Sequence, residues 1–198
     1  MELENYKNIR DYVWKTLIGG KVKSLPVDLF ELCRNLSRKP KVKINLYNYT
    51  YGFNMDLITP QMVKGKVAFT TKIFNEVYIF YNDNIYPNAR VRYAIAHEIG
   101  HLVLKHNYKK SMMTVKEREA EANKFAILLL APAIVLHCCN AIKTNDIMMI
   151  CDISYSAAKI RAKSMATYEE LNKYDTLALE REVHKAFQEF IDDYNNKY

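Results

Sequence analysis

The stretch YAIAHEIGHLVLKH, residues 93–106, decides the reading of this chain. It is helix-forming and amphipathic, and it follows a β-rich run. His97 and His101 are four positions apart, so on a helix both imidazoles stand on one face about a turn apart. Glu98 stands beside the first. Two imidazoles on one helix face are a ready pair of metal ligands. The pattern H-E-x-x-H occurs once, as His97-Glu98-Ile99-Gly100-His101. By chance it would arise in roughly one in a few hundred chains of this length.

Catalytic zinc takes three protein ligands and leaves one position for water. One known route to the third ligand needs a glycine at 104 and a histidine at 107; this chain has Leu104 and Asn107. His106 lies five residues past His101 and is expected to be a surface or helix-end histidine. The other route is a carboxylate on a second helix. EREAEANKFAILLLAP (117–132) is a strong helix former stopped by Pro132, and it offers Glu117, Glu119 and Glu121. Glu119 and Asn123 are i and i+4 on one face, so Asn123 can orient an imidazole through its free ring nitrogen. Glu119 is therefore the first choice for the third ligand. Glu121, about 200° around the helix from Glu119, is expected to face away and is the second choice. Ala120 and Ala122 are expected to permit a close helix approach.

Glu98 has the role left over. It cannot easily bind the same metal as its neighbour, but it can reach the water that a metal activates. Zinc lowers the pKa of such a water to around 7. Glu98 would take its proton as hydroxide attacks a carbonyl and then deliver it to the leaving amine. The expected reaction is peptide-bond hydrolysis, with Zn2+ as cofactor.

The bulk numbers are compatible with that reading. The chain has 198 residues, 49% of them hydrophobic and 26% charged, which suits one soluble globular domain able to bury a core. Net charge is +7, which favours acidic partners. The Lys and Arg residues are nevertheless spread out, with small clusters at Arg38-Lys39 and Lys41-Lys43, and form no nucleic-acid arm. Four cysteines (Cys33, Cys138, Cys139, Cys151) contain no C-x-x-C pair and read as reduced thiols of a cytoplasmic protein. The N-terminal MELENYKNIR lacks the apolar core of a signal peptide. The run FAILLLAPAIVL (125–136) is broken by Pro132 and too short to span a bilayer, so no membrane partner is expected.

Along the chain, Leu3, Tyr6, Val13, Trp14 and Leu17 are at helical spacing until Gly19-Gly20. A second helix is expected over 26–37, with Ser24 near its cap and Leu29, Cys33 and Leu36 on one face. KVKINLY (41–47), GKVAFTT (65–71) and EVYIFYN (76–82) read as strands, the last two as a hairpin around Asn75. Asn88 is expected to cap the helix through the H-E-x-x-H motif. A loop near 107–115 leads into the second motif helix. Further helices are expected near 144–151, 155–172 and 176–195. Ser154 is expected as a cap, Thr167 and Glu170 form a capping box, and Val183, Phe187, Phe190, Ile191 and Tyr194 form a core stripe. The fold class is therefore α+β: mostly helical, with a small β-sheet beside a pair of motif helices. The expected organisation is a single domain over 1–198, with a core carrying the zinc site over 1–132 and a C-terminal helical part over 133–198.

HEIGHLVLKH followed by EAEANKFAILLLAP resembles the ImmA/IrrE family of zinc metallopeptidase-like proteins. That family's second block reads E-x-x-A-N/D-x-F-A and ends in proline; here it is Glu119, Ala122, Asn123, Phe125, Ala126 and Pro132. SLPVDLFELCRNL and CDISYSAAKIRAK also resemble its phage- and mobile-element-associated branch. The resemblance implies a gluzincin-like core, with His97, His101 and Glu119 as ligands and Glu98 as the base. It implies a protein partner too: anti-repressors of this branch cleave a helix-turn-helix repressor and release a mobile element or stress genes. Lys105 departs from the family, adding a residue before His106 where H-x-x-x-H is common.

Proteases of this kind hold substrate as an added strand on a sheet edge, and VYIFY (77–81) is the expected edge. NDIMMICDISYSAAKIRAK (145–163) has helix-turn-helix-like spacing, with Lys159, Arg161 and Lys163 in its second half; it is read as a brace or repressor-docking surface in preference to a DNA contact. The alternative function is a zinc-containing regulatory module that binds a repressor or DNA without cutting. Glu98 favours catalysis, because zinc ligation alone does not need it.

Overall fold

A computed structural model describes residues 2–37, 43–74, 76–107, 113–171, 174–175 and 177–197, with side chains from residue 8 onward. Leu3 and Tyr6 as apolar contacts, the Arg38-Lys39 cluster, most of Lys41-Lys43, Asn75 and most of the loop near 107–115 lie outside the described residues. The elements are α1 (Glu2–Gly19), α2 (Leu29–Leu36), β1 (Ile44–Asn48), α3 (Tyr49–Asn54), α4 (Pro60–Val63), β2 (Ala68–Ile73), β3 (Glu76–Tyr81), α5 (Asn88–Val103), α6 (Val115–Leu130), α7 (Ala133–Cys138), α8 (Thr144–Cys151), α9 (Tyr155–Glu170), α10 (Ala178–Ala186) and α11 (Gln188–Asn195). This is an α+β fold, mostly helical with one small sheet. It resolves into two compact units, residues 29–126 and residues 1–28 with 127–198; the division falls inside α6.

The unit 29–126 is built on the sheet, in the order β1-β3-β2. β2 and β3 pair antiparallel with Thr70 opposite Ile79, and β1 pairs parallel to β3 with Leu46 opposite Ile79. VYIFY is therefore the centre of the sheet and not its edge; β1 and β2 are the outer strands. Its residues say why. Ile79 and Phe80 are fully buried, which needs cover on both faces. α5 packs against β2 and β3, while α3 packs against β1 and β3. Phe80 sits with Tyr49, Ile58 and Phe69 in one apolar cluster. Truncating a fully buried phenylalanine such as Phe80 to alanine costs about 3–5 kcal/mol.

Three short helices, α3, α4 and α7, escaped the sequence reading. Asn48 caps α3 by accepting a hydrogen bond from the Tyr51 amide at 2.7 Å. Gly52 lets the chain pass close to the core there: a Cβ would lie 2.6 Å from Ile58 Cδ1 and 2.9 Å from Phe80 Cε1, so a larger residue would force those side chains to shift. Helix α2 begins at Leu29, three residues later than expected, because the chain stays non-helical past Pro26 while Val27 is buried. Asn88 is the first helical residue of α5, and Pro87 occupies the cap position without a side-chain hydrogen bond.

The second unit is helical. α1 packs against α10, α7 against α10, and α8 against α9. Val183, Phe187 and Ile191 are buried, as the apolar stripe predicts, but the helix breaks at Phe187 into α10 and α11. Ser154 caps α9 through the Ala157 amide at 3.3 Å. Thr167 and Glu170 lie at the end of α9, so they open no helix. By length and composition alone Val115–Cys138 could cross a membrane, but 67% of its most apolar window is buried within the fold. The apolar run supplies core residues.

Candidate metal centre

Helix α5 buries Ala89, Val91, Ile95, Ala96, Ile99 and Gly100. That leaves His97, Glu98 and His101 only partly buried beside the apolar face. The helix ends with Leu104 as its cap and Lys105 in the left-handed region, φ 58°. The Lys105 amide donates to Leu102 O at 3.1 Å and the His106 amide donates to His101 O at 3.0 Å. These are the paired bonds of a Schellman turn. It brings His106 back to within hydrogen-bonding distance of His101.

Helix α6 starts on a reciprocal cap that the sequence reading missed. Thr114 N donates to Glu117 Oε2 at 2.7 Å, and Glu117 N donates to Thr114 Oγ1 at 3.2 Å, a T-x-x-E box. This uses Glu117, the first of the three clustered glutamates. The helix approaches α5 closely: a Cβ on Gly100 would meet Phe125 Cδ1 at 3.1 Å and the Ala122 backbone at 3.3 Å. Ala122 is fully buried in this approach, whereas Ala120 is exposed and takes no part.

His97, His101 and Glu119 converge, with one ligand atom from each lying within 4.8 Å of the other two. The Nε2 atoms of the histidines are 2.9 Å apart. Glu119 Oε2 lies 3.1 Å from His97 Nε2, and Oε1 lies 3.3 Å from His101 Nε2. A tetrahedral zinc with bonds of about 2.0–2.2 Å sets neighbouring donors roughly 3.3–3.5 Å apart. The three spacings fall at that value or a few tenths short, so the side chains fit a small divalent cation. The Glu119 side chain is 50% exposed, which leaves the cluster open on one side.

Hydrogen bonds behind the histidines strengthen the fit. Asn123 Oδ1 accepts from Tyr93 OH at 2.9 Å and lies 2.9 Å from His97 Nδ1. An amide oxygen carries no proton, so His97 Nδ1 is the donor and its neutral ring leaves Nε2 as a bare lone pair facing the cluster. His101 is backed differently. Its Nδ1 lies 2.8 Å from His106 Nδ1, and His106 Nε2 lies 3.0 Å from Glu121 Oε2. His106 is 2% exposed and Glu121 8% exposed. Neither is the surface charge that its sequence position suggested. Glu121 does face away from the three-donor cluster, but into a buried contact with His106.

Glu98 is placed by the sheet: Thr70 on β2 donates through Oγ1 to Glu98 Oε2 at 2.6 Å. Burial raises the Glu98 pKa above the ordinary carboxylate value, and the Thr70 hydrogen bond partly offsets this. Burial, followed by the neighbouring His97, lowers the pKa of His101 and favours its neutral, ligand-competent form. Thr70 and Tyr93 are site residues the sequence reading missed. Tyr93, four residues before His97 on the same helix, carried the available signal.

The 145–163 segment forms α8 and α9, joined through Asp152 in the left-handed region at φ 49°. Lys159 and Lys163 are exposed, but Arg161 is buried and donates through Nε to Ala131 O at 2.7 Å. Arg161 is thus committed to the interior.

No curated protein matches the chain. Residues 53–163, more than half of the sequence, match the Peptidase_M78 family, described as the IrrE N-terminal-like domain. The matched span contains Thr70, all of α5 and all of α6, and therefore every side chain of the converging cluster. The chain belongs to this ImmA/IrrE family, whose character is metallopeptidase-like.

Proposed function

We propose that the protein is a zinc-dependent endopeptidase that cuts a helix-turn-helix repressor in the cytoplasm and so relieves repression of a mobile element or stress genes. The observation that carries the chemistry is the convergence of His97, His101 and Glu119 beside a carboxylate, Glu98, that is hydrogen-bonded to the neighbouring strand. Zinc, when bound, supplies Lewis acidity and lets water ionise near neutral pH. His97 and His101 would hold it through Nε2 and Glu119 through its carboxylate. Asn123 keeps the His97 proton on Nδ1. Glu98 accepts the proton of the attacking water, and its raised pKa brings it closer to neutral pH, where a general base works best. It then returns that proton to the leaving amine nitrogen. Thr70 steadies the carboxylate during both transfers.

The substrate is proposed to lie as a strand along β2. Asn82 N donates to Val67 O, so by antiparallel alternation the amides of Ala68, Thr70 and Lys72 point away from β3. That outward row runs past Thr70, the residue bonded to Glu98. Lys72→Pro removes one outward donor without touching the ladder. It should raise KM while leaving metal content unchanged; an unaltered KM would remove the strand-docking idea.

The chain, loaded with Zn2+, should fragment a co-expressed helix-turn-helix repressor from a neighbouring gene, and Glu98→Gln should slow cutting by roughly 10²–10⁴ while retaining the metal. A repressor that leaves its operator at full length in both cases would instead favour a non-catalytic binding module.

A further inference from the structure

Two buried titratable residues have no part in the chemistry above. His106 and Glu121 are among the few buried polar side chains among the described residues; they contact each other, and His106 also contacts His101. Burying this pair costs desolvation that a surface pair would avoid.

Hydrogen-bond direction gives them a use. A carboxylate at neutral pH only accepts. With both imidazoles neutral, the His106 proton that faces Glu121 Oε2 therefore sits on Nε2. His106 Nδ1 is then an acceptor, so the hydrogen bond of 2.8 Å must be donated by His101 Nδ1. With its proton there, neutral His101 presents Nε2 as a bare lone pair toward His97 Nε2 and Glu119. The reverse arrangement would face the His106 Nε2 lone pair against the Glu121 carboxylate.

We propose that Glu121 and His106 form a buried positioning relay that fixes the tautomer and ring orientation of His101 for metal binding. The Schellman turn at Lys105 builds the relay. It adds the residue that separates this chain from the H-x-x-x-H spacing, and it brings His106 against His101. The two ligand histidines are thus held by different means: His97 by an amide oxygen, His101 by a carboxylate acting through a second imidazole. The proposal rests on the reading of His97, His101 and Glu119 as metal ligands.

Co2+ bound to the full-length metal-free chain is the probe, with affinity measured by competition against a chelator and the visible absorption band recorded. His97→Ala serves as the control that removes the site. His106→Leu keeps the buried volume approximately but accepts no hydrogen bond; it should weaken Co2+ binding by about 10–100-fold and alter the band. His106→Gln can accept from His101 Nδ1 and should recover most of that loss. Glu121→Gln keeps size and one acceptor, and should fall between His106→Leu and wild type. It carries the test should His106→Leu fail to fold, as judged by metal-free melting. Wild-type affinity and spectrum in His106→Leu, or in Glu121→Gln when it alone is folded, would overturn the relay while leaving the metal site standing. A wild-type chain with no His97-dependent Co2+ binding would overturn the site and the relay together.

Discussion

Four of the five histidines of this chain form a contrast, two in each compact unit, and the two pairs are held in opposite ways. In the sheet-bearing unit, His97 and His101 give their Nδ1 atoms to Asn123 and His106, and their Nε2 atoms are left facing each other. In the helical unit, each histidine has its own carboxylate. His137 Nδ1 lies 2.8 Å from Glu169, with its ring stacked on Tyr174. His184 has Asp175 at 3.7 Å on Nδ1 and the Cys138 sulfur at 3.5 Å on Nε2. The lesson concerns the second nitrogen. A ring is free to act as a ligand when its partner occupies only the far nitrogen and aims the near one at another lone pair, as the proposed site has it. A ring whose partner is a solvated acid forms an ordinary surface pair.

Substitutions can break this contrast, beginning with the largest effect. Glu98→Gln should lower kcat by roughly 10²–10⁴ with metal retained, and His97→Ala should lose the metal. His137→Ala and His184→Ala should leave both unchanged. Metal analysis beside peptide-cleavage rates checks all four, and a comparable rate loss in His137→Ala would end the distinction.

Gly100→Ala tests how closely the helices must approach. The new methyl meets Phe125 and Ala122 a few tenths of an ångström too soon, and Glu119 rides on the same helix. Activity should fall by roughly tenfold, since small misplacements of reacting groups are costly. A full-activity variant would show that α6 yields without moving Glu119.

The pH dependence of stability gives a smaller effect. Burial holds the pKa of Glu98 above its ordinary 4.5. As pH rises, the unfolded chain therefore releases this proton first. The group's stabilising contribution is complete below the unfolded value and declines as pH climbs through the folded one. Metal-free Glu98→Gln should melt above metal-free wild type at pH 7, with the gap closing on acidification below about 4. Equal melting temperatures at both pH values would show that Thr70 fully compensates the buried charge. The smallest change is at Lys105. Glycine relieves the left-handed backbone there but loosens the unfolded chain, so Lys105→Gly should alter stability by less than about 1 kcal/mol by chemical denaturation.

Much of this was legible in the residues because it is periodic. The four-residue spacings of His97 with His101 and of Glu119 with Asn123 survive into the structure, since a helix fixes which residues share a face. Strands β2 and β3 appeared for the same reason. What escaped depended on non-periodic features. Spacing cannot show that a left-handed Lys105 folds His106 back onto His101, so His106 and Glu121 read as surface groups. Alternation identifies a strand without ordering it in the sheet, and VYIFY was accordingly mistaken for an edge. Thr70 comes to Glu98 from 28 positions away, through tertiary packing that no local pattern announces.

The cap at Thr114 has a consequence for how long a cation stays. Glu119 is the fifth residue of α6, in the part of a helix that frays first, and the Thr114–Glu117 box closes that end. With Glu119 as a metal ligand, as proposed above, release of the ion would be governed by the opening of one helical turn, an event far cheaper than global unfolding. Removing the Thr114 hydroxyl should hasten metal exchange while leaving the melting temperature nearly where it was, which makes residence time and thermal stability separately adjustable.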